Sequence, residues 1–134
     1  MDFNTMRAYL LAKPEVVEDF PFGPQAWVYK VEGKMFALLS EGGAGDASGP
    51  RVNLKCNPEQ AQALRDLFSG ISGGYHMNKK HWNTVLLDSD VPDSEIERLA
   101  DHSYALIVSK LPRARRRHLE TQYSEQALGY HELG

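Results

Sequence analysis

The chain opens on a helical pattern. Phe3, Met6 and Leu10 recur on one face, and Pro14 stops the pattern one residue past Lys13, which predicts a first helix over 2–12. Residues 15–25 hold Phe20-Pro21-Phe22-Gly23-Pro24 and form a connection too rich in proline for regular structure. Two apolar runs follow, 26–32 and 34–41, with Glu32-Gly33 as the tight turn between them. The near-continuous apolar character of Trp27, Val28, Tyr29 and Val31, then of Met35 to Leu39, predicts central strands. Beyond the glycine-rich stretch from Gly42 to Pro50, residues 51–56 alternate. Val52, Leu54 and Cys56 point inward, and Arg51, Asn53 and Lys55 point to a solvated face.

Asn57 has the chemistry of an N-cap, with Pro58 at the first helical position and Gln60 at capping-box spacing. Ala61, Leu64, Leu67 and Phe68 supply the buried stripe of this second helix, and Ser69-Gly70 ends it. Residues 74–77 suggest a short strand, 78–81 a turn, and 82–88 a further strand. A last core helix spans 92–111 on the spacing of Ile96, Leu99, Ala100, Ser103, Ile107 and Leu111. Helix, three strands, helix, two strands, helix, joined by short connections, predicts an α+β two-layer sandwich. Its sheet is mainly antiparallel with helices on one face, and the other face carries Lys30, Arg51, Asn53 and Lys55. The composition shifts after Pro112. The domain is expected over 1–112, followed by a basic extension over 113–134 that is either helical or disordered.

A chain of 134 residues, 42% hydrophobic and 25% charged, fits one ordinary globular domain. The single cysteine, Cys56, excludes an internal disulfide. Met1-Asp2-Phe3-Asn4 places an acid where a signal peptide carries base, and no apolar run approaches the ~20 residues of a membrane span. The expectation is a cytoplasmic protein with no membrane partner. A net charge of −3 argues mildly against nucleic acid, yet the charge is uneven. Residues 51–87 carry Arg51, Lys55, Arg65, Lys79 and Lys80 against Glu59 and Asp66. Residues 88–101 carry Asp88, Asp90, Asp93, Glu95, Glu97 and Asp101 against Arg98, and Arg113, Arg115, Arg116 and Arg117 crowd together before His118.

The densest candidate chemistry lies between His76 and Asp88, where His76, Asn78, Lys79, Lys80 and His81 gather around Trp82. Such donors need water, each other or a ligand. In one reading the lysines bind an anion, the histidines hydrogen-bond it, and Trp82 stacks on a base or ring. In the other, Asn78 and His81 cap an irregular turn while Trp82 fills the edge of the core. His76 and His81 alone do not make the three or four convergent ligands of a zinc site. Cys56, on an inward phase, is expected to be inert. The Gly42–Pro50 loop lacks the Gly-Lys-Ser/Thr ending of a phosphate loop, and no Gly-x-Ser-x-Gly elbow is present. No catalytic residue, metal or cofactor is implied.

These landmarks resemble the MmcQ/YjbR family. The likeness is carried by His76-x-Asn78-Lys79-x-His81-Trp82-x-Thr84-Val85-x-Leu87-Asp88, by Val91-Pro92-Asp93 and by Asp101-x-Ser103-Tyr104. Upstream, Phe20-Pro21-Phe22-Gly23, Val28-x-Lys30-Val31-x-Gly33-Lys34-x-Phe36 and Leu54-Lys55-Cys56-x-Pro58-Glu59 follow in the same order. The resemblance covers residues 1–112 and implies a two-layer fold of the CyaY-like or type III secretion-chaperone-like kind. Family members are commonly labelled DNA-binding, on the idea that two β-hairpin wings grip the duplex. Here one natural wing tip, Gly42–Pro50, contains Asp46 and no lysine. The expected function is non-catalytic binding of DNA phosphates by Lys55, His76, Asn78, Lys79, Lys80, His81, Trp82, Arg113, Arg115, Arg116 and Arg117. Two alternatives stand beside it. One is a protein-interaction or chaperone-like module using the exposed sheet face. The other is a small anionic ligand held at His76, Asn78, Lys79 and His81.

Overall fold

A computed structural model describes residues 1–42, 48–74 and 77–133. Helix α1 (Phe3–Leu11) starts where the Asp2 carboxylate accepts the Thr5 N–H at 2.7 Å, and it buries Met6 and Leu10. Strands β1 (Val16–Asp19), β2 (Trp27–Val31), β3 (Lys34–Ser40) and β4 (Arg51–Lys55) follow. Helix α2 (Pro58–Leu67) begins with Asn57 accepting from Glu59 N–H, as its capping chemistry requires. Then come β5 (Ile71–Gly73), β6 (Trp82–Leu86) and α3 (Asp93–Ser109). The six strands form one antiparallel sheet in the order β1-β2-β3-β4-β6-β5. Helix α1 packs on β1 and β3, α2 on β5 and β6, and α3 on β2, β3 and β4. One face carries the helices, as the patterning predicted, while on the other Val28, Asn53 and Thr84 are buried without a helix packed on them.

Among the described residues the strand count is six rather than five. Strand β1 lies inside the stretch expected to be an irregular connection. Its inward residue is Glu18, whose carboxylate accepts two bonds from the Arg7 guanidinium at 2.8 Å and one from the Tyr29 hydroxyl at 2.7 Å. A charge on the inward phase hides a strand from a hydrophobicity pattern. Strand β5 sits three residues earlier than expected, with Ile71 opposite Val85, and α2 ends at Leu67, before Phe68. The turn between β2 and β3 holds Glu32 and Gly33 at φ 49° and 78°, the mirror-image hairpin geometry for which glycine is suited.

Asn53 corrects the expectation of a solvated face on β4. Its side chain is 6% exposed and accepts a hydrogen bond from the Thr84 hydroxyl at 2.5 Å. The central position of β4, between β3 and β6, lets flanking side chains close over it. Arg51 and Lys55, at the two ends of the strand, remain half-buried. Cys56 is free, 3% exposed and on the helix side, and burial raises its thiol pKa.

Between β2 and β3 the register shifts after Tyr29, so Phe36 is an extra residue in β3. The β3–β4 pairing stops at Ala37 opposite Leu54. Ser103 of α3 takes over there. Its hydroxyl accepts from Lys55 N–H at 2.9 Å and donates to the Phe36 carbonyl at 2.6 Å, fully buried. The neighbouring Tyr104 hydroxyl donates to the Pro14 carbonyl at 2.7 Å, and Asp101 pairs with Lys13 and accepts from Tyr9.

The tail is helical. Helix α4 (Arg113–Gln122), the short α5 (Glu125–Leu128) and a closing 3₁₀ turn (Tyr130–Leu133) fold back on α3, with Leu119 and Leu128 buried in the main core. Among the described residues no helix is long and apolar enough to cross a membrane.

Removing the Ser103 hydroxyl strands two buried backbone groups. Ser103→Ala is therefore expected to lower the unfolding free energy by about 1–3 kcal/mol in urea titration. A variant as stable as the parent would show that the bridge contributes nothing. Cys56, in turn, is expected to react with a thiol-specific dye slowly in the native protein and rapidly once denatured. Fast labelling of the folded chain would contradict its buried placement.

Candidate nucleic-acid interface

Strand register sorts the charges of this chain by sheet end. Lys55 stands opposite Trp82 at the end of β4, and Leu54 stands opposite Ala37 of β3. One end of the sheet therefore gathers the β2–β3 turn, Lys34, Lys55 and the turn over 77–81. Helix α3 also finishes there, and the α4 residue Arg115 donates to the Glu32 carbonyl at 3.0 Å. Lys34, Lys55, Lys79, Lys80, Arg113 and Arg117 belong to this end, and their side chains form no hydrogen bond or ion pair among the described residues. All but the half-buried Lys55 are exposed. Glu15, Glu32 and Glu59, the last in the first turn of α2, are the acids at this end by topology. The opposite end collects Asp19, Glu41, Asp88, Asp90 and Asp93, with Arg51 as a cation among them. Ser40 and Arg51, the strand ends that flank the β3–β4 connection, lie at that acidic end, about 14 Å along β4 from Lys55. Residues 43–47 lie outside the described residues.

The turn before β6 is built by Asn78. Its side-chain oxygen accepts from Lys80 N–H at 2.9 Å, and its carbonyl accepts from His81 N–H at 3.1 Å and Trp82 N–H at 2.9 Å. This is the amide-in-a-turn chemistry that favours Asn. His81 is half-buried, and its carbonyl accepts from Cys56 N–H at 2.7 Å, tying the turn to the end of β4. His76 lies outside the described residues.

Arg65 of α2 locks the same turn from behind. Its Nε donates to Asn83 Oδ1 at 2.6 Å, and Nη2 donates to the carbonyls of Lys79 and Trp82. Asn83, 3% exposed, also donates to the Ala61 carbonyl at 3.3 Å. Sequence reasoning counted Arg65 only as local positive charge. The available signal was Asn83, a polar residue on the inward phase of an apolar strand, which demanded a buried partner. Lys34 was missed as well, because only the hairpin topology brings it to the same end of the sheet as Lys55.

The arginine run divides into two pairs. Arg115 clamps the β2–β3 turn, and Arg116 donates to the Ser109 carbonyl at 3.4 Å and pairs with Glu120 at 3.4 Å. Those two hold the α3–α4 corner, while Arg113 and Arg117 face solvent. Trp82 does not fill the core edge. With Asn83 pointing inward, Trp82 points to the face without helices, outside the hydrophobic cluster. Gly74 meets it closely, since a Cβ there would stand 2.9 Å from Trp82 Cβ.

The chain matches the family model described as YjbR over residues 11–106. It is 37% identical over 117 residues to the uncharacterised protein YjbR of Escherichia coli (strain K12), covering 87% of this chain and 96% of that one. A shorter match, 42% over 55 residues, links it to the uncharacterised protein YyaQ of Bacillus subtilis, with 41% and 46% of the two chains covered. Among solved structures, protein DR2400 of Deinococcus radiodurans, described as a DUF419 domain, superposes with a TM-score of 0.79. It is 34% identical, with 89% of this chain and 88% of that chain covered. A Pseudomonas syringae protein superposes at 0.70 and 32% identity, covering 79% of this chain and 98% of that one.

Arg65→Lys keeps the charge but loses the planar fork that spans Asn83 and two carbonyls. It is expected to cost about 1–3 kcal/mol of stability and to speed tryptic cleavage after Lys79 or Lys80 in the native protein. Unchanged cleavage kinetics would show that the turn holds without the guanidinium.

Proposed function

Because the chain belongs to the YjbR family, a membership that fixes its fold and not its activity, we propose from the site itself that it binds nucleic acid. The contacts are backbone phosphates at the basic end of the sheet, without catalysis. The observation that carries this reading is the sorting of charge by register. Lys34, Lys55, Lys79, Lys80, Arg113 and Arg117 share one end with side chains uncommitted to the fold, while acids mark the other. A chain of net charge −3 thereby presents a local cationic surface to a polyanion. Lysines suit this task because phosphate contacts position a backbone without reading sequence. His76 and Asn78 have a lesser part in the reading, since the Asn78 side chain is engaged in the turn and His76 is not described, whereas His81 joins the turn through its backbone alone.

A second reading, docking of a partner protein, has one observation in its favour. Val17, Phe20 and Phe22 are 61%, 44% and 67% exposed around the β1 edge. Phe20 and Phe22 follow Asp19 at the acidic end, so such a partner would not displace a nucleic acid from the lysines.

If several phosphates are neutralised, log affinity falls linearly with log salt, with a slope near −0.9 per phosphate on a duplex. Replacing both Lys79 and Lys80 by alanine is expected to flatten that slope by about two while leaving the unfolding transition in place. Fluorescence anisotropy of a labelled oligonucleotide across a salt series measures both quantities. Absence of binding at low salt, to duplex and single strand alike, would remove the proposal.

A further inference from the structure

Which form of nucleic acid fits the basic end depends on what stands beside its cations. Trp82 and Lys55 are directly opposed in the β4–β6 ladder, and their neighbours Leu54 and Asn83 point to the helix side. The two side chains therefore leave paired backbone positions on the sheet face where no helix packs. Trp82 makes no ring contact among the described residues, and its indole N–H donates to none of them. A large aromatic ring with no assigned work in the core, held on a strand next to an uncommitted lysine, is the arrangement that stacks an unpaired base.

The layout of the cations points the same way. Lys34 opens β3, Lys55 closes β4, and Lys79 and Lys80 precede β6. These three segments are neighbours in the sheet, stepped about 4.8 Å per strand. The result is a row across the strand ends, from Lys34 on the helix side, in phase with Val31, to Lys55 on the other face, with Arg113 and Arg117 of α4 at the same end. Such a row follows one phosphodiester backbone. A duplex presents two backbones across a major groove about 12 Å wide, and its bases keep their faces closed by stacking on each other. Sheet faces that recognise nucleic acid through aromatic stacking act on single strands, whose bases splay out.

Resting on the phosphate-binding reading above, we propose that this protein prefers single-stranded nucleic acid. The backbone runs along Lys34, Lys55 and Lys79–Lys80, and one base stacks on Trp82. Recognition is then tolerant of sequence, because every base offers a face to the indole. Arg65 and Gly74 act as positioning residues: the first fixes the carbonyls of the Lys79–Trp82 turn, and the second lets the chain pass close under the Trp82 Cβ.

The test uses the full chain, a short oligothymidylate and a duplex of equal phosphate count at one low salt concentration. Tighter binding of the single strand is expected. With Trp27→Phe as background, Trp82 is the one remaining indole of two, and its fluorescence should be quenched by the single strand and not by the duplex. Trp82→Leu should weaken single-strand binding about tenfold while leaving duplex affinity and both salt slopes unchanged, and Trp82→Phe should restore most of the loss. Urea titration of each variant separates loss of stacking from loss of fold. Duplex binding at least as tight as single-strand binding, or single-strand affinity indifferent to Trp82→Leu, overturns the inference and leaves the phosphate reading standing. No binding of either oligonucleotide overturns the reading on which it rests.

Discussion

A single buried hydroxyl joins the two layers of this molecule where its sheet is weakest. The bulge at Phe36 puts one residue too many into β3, and the backbone ladder between β3 and β4 gives out after Ala37 and Leu54. Two main-chain groups, the Phe36 carbonyl and the Lys55 N–H, would otherwise be left unpaired near the core. Ser103 bridges both from the middle of α3. A buried unpaired backbone group costs about 1–3 kcal/mol, so the placement of α3 over the sheet is a requirement of the bulge. Lys55 owes its position to the same bond, because the backbone that carries it is held by the helix behind.

From that anchored strand end the functional surface follows by topology. In an antiparallel sheet, turns alternate between the two ends, and short charged segments at those turns are sorted accordingly. Lys34, Lys55, Lys79 and Lys80 come from three separate stretches of sequence and meet at one end. Asp19, Glu41, Asp88 and Asp90 meet at the other. The first turn of α3 carries Asp93 and Glu95, in keeping with the positive end of its helix dipole. The next helix inverts that rule with four arginines in its first five residues. Two of them offset the cost by bonding carbonyls, Arg115 at Glu32 and Arg116 at the C-terminal end of α3.

Polar residues on the inward phase mark the joints between elements. Glu18 links β1 to α1 and β2, Ser103 links α3 to β3 and β4, and Asn83 links β6 to α2 through Arg65 and Ala61. Each replaces apolar contact with a directional bond, which fixes a register that packing alone would leave looser. The lysine turn inherits its shape from the last of these joints. A cationic loop held by a guanidinium behind it presents its charges from a fixed backbone, and that lowers the ordering cost of binding.

Periodicity and capping chemistry determined most of the architecture: α1, the Glu32-Gly33 hairpin, the Asn57-Pro58 start of α2, the long apolar face of α3 and the inward burial of Cys56. These rest on interactions within a few residues, which local sequence encodes directly. The same logic identified Asn78 as a turn residue and collected the lysines and Trp82 as candidates. Strand β1 escaped it because an inward glutamate breaks the pattern, and the burial of Asn53 escaped it because a central strand is covered by its neighbours. The clamp made by Arg115, the roles of Arg65 and Ser103, and the side of the sheet on which Trp82 stands depend on partners 14 to 83 positions away. Pairings over such separations are set by how the layers pack, so only the tertiary structure decided which charges hold the fold together and which remain available to a ligand.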